Sequence, residues 1–88
     1  PSKFYLSFSY PNPFNPVTTF NYGVPEHANI KIIIYNSVGQ VISTPINYFH
    51  TAGNYTYTWN ASNYSNGVYY FQLISNQLAI TRKATLLK

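Results

Sequence analysis

Between Gly53 and Asn60 the chain reads Gly-Asn-Tyr-Thr-Tyr-Thr-Trp-Asn, and only a period of two separates its aromatic from its polar side chains. Successive side chains of an extended strand point to opposite faces, so Tyr55, Tyr57 and Trp59 share one face and Asn54, Thr56 and Thr58 the other. A helix would scatter both sets around its axis. The segment therefore belongs on a sheet with one side buried.

Other stretches repeat the pattern. Thr18, Phe20, Tyr22 and Val24 share a face until Pro25 ends the run. Ile30, Ile32 and Ile34 point inward, leaving Lys31, Ile33 and Tyr35 outward, because an unpaired ammonium is excluded from a core. Tyr69, Phe71 and Leu73 alternate with Val68, Tyr70 and Gln72, and Phe4, Leu6 and Phe8 alternate with Tyr5 and Ser7. With Gly, Pro and Asn punctuation between runs, the chain predicts an all-β, immunoglobulin-like antiparallel β-sandwich of about seven strands. Residues 1–88 are read as one domain. The predicted core is Phe20, Tyr22, Ile30, Ile32, Ile34, Tyr57, Trp59, Phe71 and Leu73.

The breaks are equally specific. Tyr10-Pro11-Asn12-Pro13-Phe14-Asn15-Pro16 contains three prolines, which remove backbone donors and bar a central strand or a helix. Asn12 and Asn15 suit side-chain turns, and Phe14 is expected to anchor the segment by burial. Asn36-Ser37-Val38-Gly39 predicts a bulged hairpin turn, with Gly39 supplying positive φ and Gln40 to Thr44 returning. Pro45 is read as an interruption and Ile46 to Thr51 as a loop or short edge strand. Ala52-Gly53 opens the next strand, Asn60 to Gly67 is a polar loop, and Asn76-Gln77 turns the chain. Arg82 and Lys83, in the final run from Leu78 to Lys88, suggest a bulge or an exposed edge and leave its register open.

Chemistry has few groups to use. Glu26 is the only carboxylate side chain, and its neighbour His27 points the other way along an extended segment, so no catalysis is expected. His27 and His50, without Cys or further His, fall short of a metal site and are read as surface-loop imidazoles. No cofactor is implied. The basic residues Lys3, Lys31, Arg82, Lys83 and Lys88 are scattered, so the formal charge of +4 reflects missing acids and no nucleic-acid partner is expected. No apolar run approaches the about 20 residues of a membrane helix. The chain starts at Pro1 without an initiator Met and is read as a processed product or a segment of a longer precursor.

In order and spacing, these pieces resemble the type-A C-terminal sorting domains of the type IX secretion system. The resemblance rests on Tyr10, Pro11, Asn12, Pro13, Phe14, Asn15 and Pro16 with Thr18, Thr19 and Phe20. It continues through Tyr22, Val24-Pro25, Ile34-Tyr35-Asn36, Val38-Gly39, Gly53 with Trp59, Asn66-Gly67-Val68-Tyr69, Thr81-Arg82-Lys83 and Leu86-Leu87-Lys88. It implies a seven-stranded module at the C-terminus of a secreted protein, read by translocon components, located outside or on the surface of a Gram-negative cell. The chain departs from the family's pattern by Asn36 and Asn60 in place of Asp, by Ile33 where a basic residue is common, and by a small Ala84.

Phe4, Leu6, Phe8, Ile33, Tyr35 and Tyr70 form the candidate interaction surface, since contiguous outward apolar residues mark contact sites. An alternative reading makes neighbouring copies the partner: a homo-oligomeric subunit of an extracellular filament or layer, with the strand from Phe4 to Phe8 added to a neighbour's sheet.

Overall fold

The computed structural model describes residues 1–76 and 78–88 of the chain. Among the described residues seven strands run in sequence as β1 (Tyr5–Leu6), β2 (Val17–Val24), β3 (Ala28–Tyr35), β4 (Val41–His50), β5 (Gly53–Asn60), β6 (Gly67–Ser75) and β7 (Leu78–Leu86). They form two antiparallel sheets, one ordered β1-β2-β5 and the other β4-β3-β6-β7. This is the Greek-key arrangement of an immunoglobulin-like sandwich. Strands β1 and β7 close one flank, and β4 and β5 lie along the other.

The inner layer follows the period-two rows. Thr18, Phe20, Tyr22 and Val24 of β2 face Ile30, Ile32 and Ile34 of β3 and Phe71 and Leu73 of β6, all essentially inaccessible. Phe20 packs on Phe71 with ring centroids 5.0 Å apart, and Trp59 meets Phe71 edge-on at 5.6 Å. Each fully buried large side chain contributes about 1.5–3 kcal/mol. Tyr57 is half-buried against this core because β5 is an edge strand.

Turns fall where the punctuation put them. Gly39 has φ +85°, its N–H donates to the Asn36 carbonyl at 3.0 Å, and the Asn36 Oδ1 accepts the amides of Val38 and Gln40. Asn60 Oδ1 accepts the Ser62 amide in the same way. At both positions an amide oxygen supplies the acceptor a carboxylate would. Between β6 and β7, Asn76 takes φ +51°, while Gln77 lies outside the described residues.

Several expectations are corrected. β1 holds only Tyr5 and Leu6, and Phe8 lies exposed while Leu6 is buried in the core. β4 runs through Pro45 instead of stopping: it is an edge strand, and Thr44 and Pro45 together oppose Ile33 in a bulge that tolerates a missing donor. β7 is an edge strand in unbroken register with β6 from Leu78 to Leu86, with no bulge at Arg82-Lys83. His50 is only 2% exposed. Its Nδ1 donates to the Tyr48 carbonyl at 3.0 Å, which leaves Nε2 to accept the Tyr22 hydroxyl at 2.9 Å. His27 remains exposed and accepts the Ala52 amide through Nδ1.

Burial pushes the Tyr22 hydroxyl well above the usual tyrosine range, and the neighbouring Tyr48 and Tyr55 hydroxyls add to the rise. The unfolded chain ionises Tyr22 near its ordinary value, so the stability this group contributes is whole below about pH 10 and is lost as pH rises beyond it. Urea midpoints should therefore hold up to about pH 9.5 and fall above about pH 10, and Tyr22→Phe should shallow that fall. At neutral pH the same substitution should cost about 1–2 kcal/mol by leaving His50 Nε2 without its donor. Phe71→Ala should cost about 3–5 kcal/mol in the same measurement.

Candidate functional site

The segment Tyr10–Pro16 leaves β1, passes over the closed flank and enters β2. Its three X–Pro bonds are cis. Tyr10 exchanges backbone hydrogen bonds with Thr19 of β2, and the Thr18 hydroxyl donates to the Pro11 carbonyl at 2.8 Å. These bonds tie the segment to the three-stranded sheet.

The other sheet is held by the segment's second half. Asn12 brackets the β7 edge: its Oδ1 accepts the Thr85 amide at 2.9 Å and its Nδ2 donates to the Lys83 carbonyl. The Phe14 N–H donates to the Thr85 carbonyl at 2.9 Å, and the Phe14 carbonyl accepts the Leu87 amide at 3.0 Å. Phe14 thus forms a short parallel bridge beside Leu86. Its ring is buried against Trp59, with centroids 5.8 Å apart. The loop therefore pairs the groups that an edge strand would leave open.

Around this clasp the fold gathers residues far apart in sequence. Tyr69 packs edge-on against Trp59 at 5.2 Å, and Gly67 opens β6 opposite Leu86. Lys88 is fixed to the preceding loop, its N–H donating to Asn66 Oδ1 and its ammonium to the Ser62 carbonyl. Lys83 lies opposite Tyr70, which lies opposite Tyr35, so the Gly39 turn shares this end of the sandwich. Gly53 sits at the far end, opposite Val24.

Below the clasp, Arg82 completes the flank. It pairs opposite inward-facing Phe71, its Nε donates to the Leu6 carbonyl at 2.8 Å, and its guanidinium lies 4.6 Å from the centre of the Phe8 ring. Sequence reasoning missed this inward role, and the signal was available: Arg82 shares its parity with Ala84 and Leu86, both buried. Tyr5 lies over Gly23, where a Cβ would come within 2.0 Å of its ring, and its hydroxyl donates to Asn54 Oδ1.

The candidate interaction surface does not survive as one patch. Leu6, at 1% exposed, belongs to the core, and Phe4 packs against that core. Phe8, 70% exposed, sits under Arg82 on the closed flank. Ile33, at 7%, is buried, opposite Gln72 of β6 and beside the bulge in β4. Tyr35 and Tyr70 do meet across β3 and β6, half-buried, and the Tyr35 hydroxyl donates to Gln72. The N-terminal strand pairs within its own chain, with Tyr5 opposite Gly23 and Leu6 opposite Tyr22.

A family model described as the secretion system C-terminal sorting domain matches residues 9–86. The chain belongs to this family. The match begins at the clasp and ends at the strand the clasp covers. Members are sorting-signal modules of type IX-secreted proteins, which are exported from the cell, and the family is a non-catalytic one. No curated protein and no solved structure gives a significant match to the chain. No helix is long and apolar enough to cross a membrane among the described residues.

Asn12→Ala should destabilise the domain by about 1–3 kcal/mol, since it strips a pairing group from the partly covered Thr85 amide. Arg82→Ala should free β1, raising amide exchange at Leu6 and Ser7 while leaving β3 and β6 protected. Heteronuclear NMR on the two variants reads both effects.

Proposed function

We propose that this chain is the sorting and attachment module of a cargo protein, directing it through the type IX translocon to the surface of a Gram-negative cell. Residues 1–88 act as one folded unit in this reading. The observation that carries it is the clasp: Tyr10–Pro16, near the start of the family match, is built onto the last strand, β7. A receptor that reads this end reads a folded state, because the two segments meet only when both sheets have formed.

The recognition face comprises the exposed rim of the clasp, Tyr10, Pro11, Asn12, Pro13 and Asn15 with half-buried Pro16, beside the exposed cations Lys83 and Lys88. Phe14 works from within, holding the rim in shape. Gly39, Gly67 and Tyr69 set the surrounding turns and packing. Translocon components are the partners, bound through shape and hydrogen bonding; no reactive group is required.

Fusing residues 1–88 behind a signal peptide and a reporter should send the reporter to the surface or medium of a type IX-competent cell. Phe14→Ala should abolish this by unfolding the clasp. Lys83→Glu, on an exposed side chain, should leave thermal stability within about 0.5 kcal/mol of the parent and reduce export. A folded fusion that stays in the periplasm would refute the proposal.

A further inference from the structure

The outermost strands of the two sheets are protected to different degrees. A sheet edge offers unpaired N–H and C=O groups to any other strand, and proteins blunt it with short strands, bulges, Pro, charge or a covering segment. β1 has two residues. β7 is covered by Asn12 and Phe14 and carries Arg82 and Lys83. β4 loses register twice against β3 and contains Pro45. β5 has none of these devices: eight residues, continuous register with β2, no Pro and no charge.

The hydrogen-bond ladder shows which groups of β5 are open. Thr19 bonds to Tyr10 and the Asn21 carbonyl accepts the Ser7 amide, so odd-numbered residues of β2 turn their backbone toward β1. Thr18, Phe20 and Tyr22 therefore bond to Trp59, Tyr57 and Tyr55. The amides and carbonyls of Asn54, Thr56 and Thr58 point away from the sheet, and among the described residues no other segment reaches them. Their side chains are engaged on the outer face instead, with Tyr5, Asn21 and Thr19 respectively.

The flank beside this edge is apolar and uncharged. Tyr48 is 57% exposed, and Tyr55, Tyr57 and Ile42 are half-buried. From Ile32 to Thr81 the chain has no Lys, Arg, Asp or Glu, whereas Arg82 and Lys83 lie on the opposite flank.

We infer that β5 pairs antiparallel with β5 of a second copy of this chain, centred on Thr56, joining the two three-stranded sheets into one. A second copy is the occupant because its own β5 is an equally open edge without charge, and its side chains match in this register. With Thr56 opposite Thr56, Asn54 meets Thr58 on the outer face and Tyr55 meets Tyr57 on the inner face. Thr–Thr and aromatic cross-strand pairs are favourable, and a two-fold contact needs one such self-matching patch. No like charges are brought together, although each copy carries +4, because the cations lie off this flank.

The chain has no cysteine, so Thr56→Cys gives a single reporter thiol. Opposed residues in a hydrogen-bonded antiparallel pair lie about 5.5 Å apart at Cα, within disulfide reach. Under mild oxidation Thr56→Cys should cross-link to dimer at least about tenfold faster than Ser37→Cys in the exposed β3–β4 turn. Sedimentation equilibrium of the unaltered chain should show a dimer, and Thr56→Lys, which opposes two ammonium groups, should weaken it at least about tenfold without changing the monomer's circular dichroism. A chain still monomeric at about 1 mM overturns the inference, as does a dimer indifferent to Thr56→Lys or cross-linking no faster than the control. So does a monomer whose β5 edge takes up an unrelated extended peptide in preference to a second copy.

Discussion

One side chain and one short run of backbone hold the closed flank of this sandwich together: the Asn12 amide and the main chain of Phe14, laid along the edge of β7. They matter because the covalent path offers no other restraint. The chain has no cysteine, and its small core leaves a modest margin of stability. An uncovered β7 would expose Thr85 and Leu87 to solvent or to other chains. Covered, it lets Phe14 carry its ring down to Trp59, so the backbone clasp and the aromatic core reinforce one another.

Charge is distributed to match. Arg82 reaches from β7 across to Leu6 and Phe8, using a long apolar stem and a planar head at the rim of the core. The opposite flank, β4 with β5, carries tyrosines and threonines instead of charges. Asn36 and Asn60 hold their turns without charge, since each amide oxygen accepts backbone N–H donation. One flank is sealed by the chain itself and the other is left able to make contacts.

The strand rows were legible because alternation around Ile30–Ile34, Tyr55–Trp59 and Tyr69–Leu73 is a direct image of a two-faced sheet. What escaped was decided across strands. Pro45 reads as a strand end because a lone strand does not reveal whether it lies at an edge, where a missing donor is harmless. A strand break at Pro45 puts His50 in a loop, whereas its burial comes with the Tyr22 hydroxyl approaching from the other sheet. Arg82 and Lys83 suggest a bulge or an exposed edge when read as a charged pair, whereas the shared parity of Arg82, Ala84 and Leu86 points Arg82 toward the core rim. Ile33 shares the outward parity of Lys31, yet it is buried beside the bulge in β4, which no pattern within β3 reveals. The clasp segment was recognisable as a non-strand from its prolines, but its pairing to β7 joins residues more than seventy positions apart, beyond any local pattern.

Amide hydrogen exchange at Phe14, Thr85 and Leu87 tests the central claim most directly. If the segment from Tyr10 to Pro16 seals the β7 edge, these three amides exchange as slowly as those of β3 and β6 in the native domain. Exchange at the rate of solvent-exposed turns such as Ser37 would mean that the edge is open and that the signature does not hold the terminal strand.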